Sequence, residues 1–539
     1  MRRAAAASAA SSSSEKTTVG ISLICRVPLA AAAQLFNVGP TLRRSGQHAR
    51  VARQRPRIAL PAPLWRQLRG FDITYTPAYC EDADIAFRVR ALGLRAVYHP
   101  FSEIVHHEGK SHGTDKSSGI KAYQVFNLGK LYERWWSELT REHFANGEHV
   151  FLARDRSRPR PHILFIDHYI PQWDQDCGSR LMFLYLKMFV DAGFQVTFWP
   201  DNLYEDPDYI RTLQKAGIEV IYSNQYLEKF DQWIKEYGVY FNYFFISRPH
   251  IAIKYVDAVR EHSSGTIMYY GHDIHWQRIA LQCELTGNAE LRDEIERWRD
   301  IEARVCRASD IIFYPSDDEC AVIREQFPEK KVVELPVAYY GEKLSREAAE
   351  IAAADRLRDP FHLTFVGGFG HEPNIDAMLW FTAEIFPRLV DLASRFRLTI
   401  VGSNPTGAIL GLKSNHITVT GFIPDNALAE LYRGVGISVA PLRYGAGVKG
   451  KVIESFFFGV PVVTTSVGVQ GIDDPERTTF FADEAEGLIA QVYHAATDRD
   501  AAISRVAKGY EFLDRKYSRD HVDAMLAQAV PELRLSSGR

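Results

Sequence analysis

Short apolar runs alternate with charged or amphipathic stretches from about residue 161 to the end of the chain. Ile163 to Ile166, Gln195 to Trp199 and Thr266 to Tyr270 contain few charges and many β-branched or aromatic residues, which is typical of strands covered on both faces of a parallel sheet. Charged stretches between such runs, for example Leu291 to Ala308, are predicted to be helices. The alternation predicts an α/β fold.

A second run of the same kind begins at Phe361. Its predicted strands end at Gly367, Gly402 and Gly421, and the loops after parallel strands gather at one edge of a sheet. We therefore predict two successive Rossmann-like domains, residues 161–345 and 346–539. Residues 484–535 are predicted to be terminal helices of the second domain.

The stretch from Pro441 to Gly459 reads PLRYGAGVKGKVIESFFFG and follows the apolar run Ile437 to Ala440. It predicts a strand, a glycine loop and a helix from Val448 to Phe458, and the start of a helix attracts anions. Two lysines and a glutamate in this stretch suit the phosphates and the ribose of a nucleoside diphosphate. The alternative is a capping helix with solvated lysines. The residues are Lys449, Lys451 and Glu454.

The first domain offers two loops at predicted strand ends. One contains Gly178, Ser179 and Arg180, which we assign to the acceptor and phosphate side of the site. It lies ahead of a helix predicted from Leu181 to Asp191, and Asp174 and Asp176 precede it. The other is GHDIHWQR, in which His272, Asp273 and His275 follow a strand. Either histidine could contact phosphate or accept a proton from an acceptor hydroxyl. Either could also be a structural, hydrogen-bonded histidine.

The beginning of the chain differs from the rest. Residues 1–60 are rich in Ala, Ser and Arg, and Glu15 is their only acidic residue, so we predict a disordered basic segment. The alternative is a basic arm that touches anionic lipid.

Residues 61–153 carry a second set of motifs: Gly70-Phe71-Asp72, Glu81-Asp82 and His106-His107. This segment resembles the acceptor-side half of a family 2 glycosyltransferase of the GT-A type. The resemblance implies that Asp82 is a general base and that His106 or His107 is a metal-side histidine. Residues 1–60 contain no aspartate for the donor half of such a domain. We therefore predict a partial, catalytically silent GT-A fragment.

The motifs VGGFGHEPNIDAMLWF, GFIPD, PLRYGAGVKGKVIES and PVVTT together resemble glycosyltransferase family 4, which has the GT-B architecture. The resemblance implies retaining transfer from a nucleoside-diphosphate sugar without an obligatory metal or other cofactor. It also implies that the two domains face each other across a cleft, with residues 161–345 on the acceptor side and residues 346–539 on the nucleotide-sugar side. By position it implies that Gly178 approaches the leaving phosphate and that the donor is bound by Gly367, Gly368, Phe369, Phe422, Ile423, Lys449 and Glu454. The predicted donor site also includes Gly447, Val448 and Lys451. Ala446 stands where many members have a glutamate that contacts the donor sugar, so we predict a donor other than glucose, such as a deoxysugar.

Composition bears on the partners and the cellular location of the protein. The net charge of −3 and the pI near 6.7 give no general attraction to nucleic acid. The six cysteines are scattered without zinc spacing, which indicates reduced thiols. No apolar run reaches the roughly 18 residues of a membrane helix. These features predict a cytoplasmic protein, with peripheral contact at the inner membrane face as an option.

The sequence thus favours a hexosyltransferase that moves a sugar to a glycan or lipid-linked glycan acceptor, in polysaccharide, O-antigen or cell-envelope biosynthesis. A sugar-nucleotide 2-epimerase on the same architecture is the first alternative. A non-catalytic module that binds carbohydrate or nucleotide is the second.

Overall fold

A computed structural model describes residues 59–96, 119–145, 148–153, 156–336, 350 and 359–535. The chain divides into two compact units at the step from His162 to Ile163. His106, His107 and the basic segment up to residue 58 lie outside the described residues, so the predictions made for them stay predictions.

The described part of the first unit is helical, with a small core of its own. Phe87 packs with Tyr75, Ala83 and Leu131, and stacks on Trp135 with 5.0 Å between ring centroids. The helices are α1 (Ala62–Gln67), α2 (Glu81–Ala91), α3 (Ala122–Arg134), α4 (Trp136–Glu142) and α5 (Val150–Ala153), with 3₁₀ turns at Ile73–Tyr75 and Gly119–Lys121.

The second unit begins with a seven-stranded sheet in the order β3-β2-β1-β4-β5-β6-β7. Its strands are β1 (His162–Asp167), β2 (Gln195–Pro200), β3 (Glu219–Val220), β4 (Tyr243–Ser247), β5 (Thr266–Tyr270), β6 (Ile311–Tyr314) and β7 (Lys331–Glu334). Its helices are α6 (Cys177–Asp191), α7 (Pro207–Ala216), α8 (Phe230–Tyr237), α9 (Pro249–His262), α10 (His275–Thr286), α11 (Leu291–Ala308) and α12 (Asp317–Gln326), with 3₁₀ turns at Asn224–Tyr226 and Gly238–Tyr240.

A six-stranded sheet follows, in the order β10-β9-β8-β11-β12-β13. Its strands are β8 (His362–Val366), β9 (Arg397–Val401), β10 (Ile417–Gly421), β11 (Ile437–Ala440), β12 (Val462–Thr464) and β13 (Phe480–Phe481). Its helices are α13 (Glu372–Trp380), continued by a π-helical turn at Phe381–Ile385, α14 (Phe386–Leu392), α15 (Gly407–Leu410), α16 (Asp425–Gly434), α17 (Gly450–Phe457), α18 (Pro475–Thr478), α19 (Ala485–Thr497), α20 (Arg499–Tyr517) and α21 (Arg519–Ala529), before a 3₁₀ turn at Pro531–Leu535.

Both sheets are parallel in the pairings that the structure defines, such as β1 with β4 and β8 with β9. Every residue of β1 and β2 is buried, because helices cover both faces of the sheet. Aromatic rings fill much of the first core; Phe165, for example, stacks on Phe245 at 4.8 Å. The carboxyl ends of the strands in each sheet therefore meet at one edge, as the sequence predicted.

The last helix differs from the prediction. α20 remains with the second domain, where Tyr510 and Leu513 pack against α17. α21 instead contributes Val522 and Leu526 to the core of the first domain. The sequence pattern shows that α21 has an apolar face, but not which domain covers that face.

Candidate active site

The glycine loop between β11 and α17 brings a lysine to the contact between the two domains. Gly445 and Gly447 have φ values of +148° and +73°, and the helix begins at Gly450 rather than at Val448. Lys449 is the buried residue just before the helix. Its Nζ donates to the carbonyl oxygens of Ala446, at 3.1 Å, and Gly447, and to Oε1 of Gln470 at 2.9 Å. Burial lowers the pKa of Lys449 to about 8.

Lys451 joins this loop to the loop after β8. Its Nζ donates to Oδ1 of Asn374 and lies 4.3 Å from the centroid of the Phe365 ring. Asn374 in turn donates to the carbonyl oxygen of Gly368 at 2.7 Å. A Cβ on Gly367 would lie 2.9 Å from Nζ of Lys451, so the lysine uses the space that the glycine leaves. Burial lowers the pKa of Lys451 to about 7.

Glu454 lies one turn into α17 and is bound from both domains. It accepts a hydrogen bond from the Tyr432 hydroxyl at 3.1 Å and one from Arg180 of the first domain at 3.4 Å. Arg180 also pairs with Asp425 at 2.7 Å. Burial raises the pKa of Glu454. The sequence grouped Arg180 with the phosphate side, whereas the structure places it against the carboxylate predicted to bind ribose.

On the first-domain side, the candidate site is formed by residues at the carboxyl ends of β1, β4 and β5. Nε2 of His272 lies 3.0 Å from the Ser247 hydroxyl, and Arg248 donates to buried Asp167 at 3.0 Å. A Cβ on Gly178 would lie 2.6 Å from Nη2 of Arg248. Burial, together with the charge of Arg248, lowers the pKa of His272. This imidazole is therefore neutral at neutral pH and can accept a hydrogen bond or a proton.

His275, unlike His272, lies beside a carboxylate. Its Nδ1 lies 2.8 Å from Oδ1 of Asp273, whose other oxygen accepts from Arg278 at 2.8 Å. Burial opposes charge on both members of the pair, but their attraction outweighs it, so the pKa of His275 is raised and that of Asp273 lies well below its usual range. Glu302 accepts from the His275 amide at 3.0 Å. Of the two predicted histidines, His275 has the environment of a structural ion pair.

Several other predicted residues are placed by the structure. The side chain of Phe369 is 2% exposed and packs in the core of the second domain. Phe422 is exposed and Ile423 half-buried after β10, and half-buried Val448 packs beside α17. Ser179 donates its amide to Asp176, which caps α6.

The predicted family 2 residues lie in the first unit. Glu81 and Asp82 are in the first turn of α2. Asp82 accepts from the Ala83 amide at 2.8 Å, and burial raises the pKa of Glu81. Within the described ranges, the structure contains no group of three or more His, Cys, Asp or Glu side chains arranged to hold a metal ion. The described residues also include no helix long and apolar enough to cross a membrane.

Sequence reasoning missed three side chains of this region. Arg248 stands at a strand end with φ of +65°, and its position before Pro249 was the available signal. Asn374 lies in the GHEPN segment that follows β8. Glu319 forms a Ser-x-x-Glu capping pattern with Ser316, and this pattern is recognisable in the sequence.

Residues 360–498, which lie in the second domain, match the protein family described as "Glycosyl transferases group 1". A curated relative, "Uncharacterized 44.6 kDa protein in cps region" of Klebsiella pneumoniae, is 28% identical over 117 residues, covering 20% of this chain and 30% of the relative. The chain thus matches less than a third of that relative's length.

Solved structures match over a longer stretch. Sucrose-phosphate synthase from Thermosynechococcus elongatus gives a TM-score of 0.52 at 16% identity, covering 70% of this chain and 100% of that chain. Anabaena Alr3699/HepE in complex with UDP-glucose gives 0.50 at 12% identity, covering 69% and 99%. These likenesses confirm the predicted GT-B fold. The GT-A fragment and membership of family 4 stay predictions.

Proposed function

We propose that the chain is a glycosyltransferase that moves a sugar from a nucleoside-diphosphate sugar to a glycan or lipid-linked glycan acceptor, with retention of anomeric configuration. The observation that carries the proposal is a pair of lysines, Lys449 and Lys451, held beside glycine loops at one sheet edge. In the described part of the chain, the hydrogen-bond partners of both ammonium groups are neutral oxygens. Desolvated cations without a carboxylate partner favour an anionic ligand.

Three further observations support a nucleoside diphosphate as that ligand. Glu454 lies one turn beyond the lysines with acceptor oxygens suited to ribose hydroxyls, and the match to group 1 glycosyl transferases spans all three residues. The similar Anabaena structure is a complex with UDP-glucose. We infer that donor binding replaces Arg180 at Glu454 with the ribose.

The chemistry follows from these positions. The bond between the anomeric carbon and the phosphate oxygen breaks, and the acceptor oxygen forms a new bond on the same face of the sugar. Lys449 and Lys451 stabilise the negative charge that develops on the leaving diphosphate. His272 is neutral, its Cε1 lies 3.6 Å from the position of a Cβ on Gly178, and it accepts the proton that the acceptor hydroxyl loses. We propose that no metal or other cofactor is required.

Nucleotide binding tests the site. We expect calorimetry to detect binding of at least one of UDP, GDP and dTDP, and Glu454→Ala to weaken it at least about tenfold, since a buried carboxylate that bonds ribose is lost. Glu430→Ala, an exposed glutamate paired with Arg433, is the matched control. Failure of all three nucleotides to bind would overturn the proposal.

Product analysis tests the reaction. Turnover with a panel of nucleotide sugars should yield a glycosylated acceptor with retained configuration, observed by NMR. An epimerase would change the nucleotide sugar without an acceptor, and a binding module would give no product. The absence of a glutamate at Ala446 supports a deoxysugar donor; strict dependence on UDP-glucose would contradict that choice.

A further inference from the structure

A buried glutamate that the proposed chemistry does not use lies in the first turn of α12. Glu319 is 6% exposed. Its amide donates to the Ser316 hydroxyl at 3.3 Å, and that hydroxyl lies 2.8 Å from Oε2 of Glu319, to which it donates. Among the described residues, Oε1 has no partner with hydrogen-bond geometry. A buried polar atom left in this state requires an explanation.

Oε1 faces the glycine loop of the second domain. A Cβ on Gly447 would lie 3.3 Å from Oε1 of Glu319 and 3.1 Å from the carbonyl oxygen of His272. A Cβ on Gly471 would likewise lie 2.9 Å from Cβ of Ser316. The start of α12 is therefore a place where the two domains touch, and the loop that precedes Lys449 covers the carboxyl group.

The charged groups that act on Glu319 are Asp273 and Lys449. Burial raises the pKa of Glu319 to about 8, and Asp273 acts in the same direction; the Ser316 hydroxyl, Lys449 and the Ile274 amide oppose the rise without cancelling it. The remaining titratable neighbours are neutral, because burial raises their pKa values; they are Tyr270, Tyr517 and Cys320.

These contacts make the protonated acid the form that fits the closed interface. Lys449 donates to carbonyl and amide oxygens and does not pair with Glu319. An ionised carboxylate would be enclosed there without a hydrogen-bonded counter-ion, which is costly. A protonated carboxyl group is uncharged, so Oε1 of Glu319 can lie against the glycine loop without that cost.

We propose that Glu319 is a positioning residue of the nucleotide site, whose carboxyl group must be uncharged for the glycine loop of the second domain to lie against the first domain. The inference rests on the proposed function in one respect, that this loop presents Lys449 to a diphosphate. When the domains separate, Glu319 meets water and has the ordinary pKa of a glutamate, 4.5. Closure then takes up a proton above that pH, so the stability of the contact declines as the pH rises from about 4.5 to about 8.

Hydrogen exchange without nucleotide tests closure directly. We compare the wild type with Glu319→Gln, which has the same shape and no charge, at pH 5.5 and pH 8.5, corrected for intrinsic exchange rates. Amides in residues 441–459 of the wild type should exchange at least about tenfold faster at the higher pH, whereas those of Glu319→Gln should change little. Glu325→Gln, an exposed substitution on the same helix, should follow the wild type. Equal behaviour of Glu319→Gln and the wild type overturns the inference.

Nucleotide affinity separates this inference from the proposed function. The ratio of the Kd for UDP at pH 8.5 to that at pH 5.5 should be at least about tenfold larger in the wild type than in Glu319→Gln, and Glu319→Ala should share the weaker pH dependence. If UDP, GDP and dTDP all fail to bind but the exchange difference is present, the closure mechanism stands and the proposed function does not. If UDP binds with the same pH profile in all variants, the role of Glu319 is refuted and the transferase proposal is not.

Discussion

Two lysines of the candidate site, Lys449 and Lys451, have pKa values that burial lowers. Lys449 is buried with a pKa lowered to about 8, so it is charged at neutral pH and loses its charge as the pH rises through about 8. The sequence identified Lys449, Lys451 and Glu454 by their spacing along a predicted helix start. It could not show that Arg180 of the first domain donates a hydrogen bond to Glu454, because a contact between residues 274 positions apart leaves no local pattern in the sequence.

Replacing Lys449 should therefore weaken nucleotide binding. Lys449→Met removes a charged donor and should raise the Kd for UDP about 10- to 100-fold. Lys413→Met, a change on the exposed surface of the second domain, is the calorimetric control. An unchanged Kd in Lys449→Met would show that the diphosphate lies elsewhere.

The ion pair of Asp273 and His275 supports a second prediction. Asp273→Asn removes the attraction that holds a proton on His275, while burial remains, so the pKa of His275 should fall. NMR titration of the imidazole ring measures this, with Asp300→Asn on the exposed side of α11 as the control. An unaltered titration would mean that Glu302 alone maintains the charge on His275.

Among the elements, the ends of helices were harder to predict than their existence. The strand Thr266–Tyr270 and the helix Leu291–Ala308 have the predicted bounds, because apolar periodicity fixes both. α6 begins at Cys177 rather than Leu181, since Asp176 caps it through the Ser179 amide. α17 begins two residues later than predicted because positive φ at Gly447 delays its first turn.

The loop before α17 accepts only glycine at its contact with the first domain. Gly447 combines a φ of +73° with neighbours 3.1–3.3 Å from an added Cβ. Gly447→Ala should cost about 1–2 kcal/mol of unfolding free energy from the backbone conformation alone and should also weaken UDP binding. Gly434→Ala has open space around the added methyl and is the control. Urea unfolding compares the two, and equal stabilities would contradict the geometry.

At the scale of the whole molecule, the sequence predicted two parallel-sheet domains correctly but not their connection by the last helix. Amphipathic periodicity in Arg519–Ala529 indicates burial without naming the surface that covers it. The structure shows that Leu526, fully buried, belongs to the core of the first domain. Long-range packing of this kind depends on the three-dimensional path of the chain.

A substitution in α21 should therefore destabilise a domain whose sheet ends near residue 334. Leu526→Ala should lower the unfolding free energy of the first domain by about 2–5 kcal/mol, by leaving a cavity. Gln528→Ala, exposed on the same helix, is the control. The measurement is denaturant unfolding followed by tryptophan fluorescence, because Trp199 and Trp233 lie in the first domain. Equal curves for the two variants would contradict the assignment of α21.

The packing of α21 on the first domain also determines where the chain can be divided into fragments for expression. A recombinant second half that runs from residue 359 to residue 539 would carry α21 without the first-domain surface that covers it, leaving Val522 and Leu526 exposed to water. Such a piece would be prone to self-association. Ending the fragment at Tyr517 retains the packing of α20 on α17 and omits the apolar residues of α21, so we expect residues 359–517 to be the better-behaved fragment.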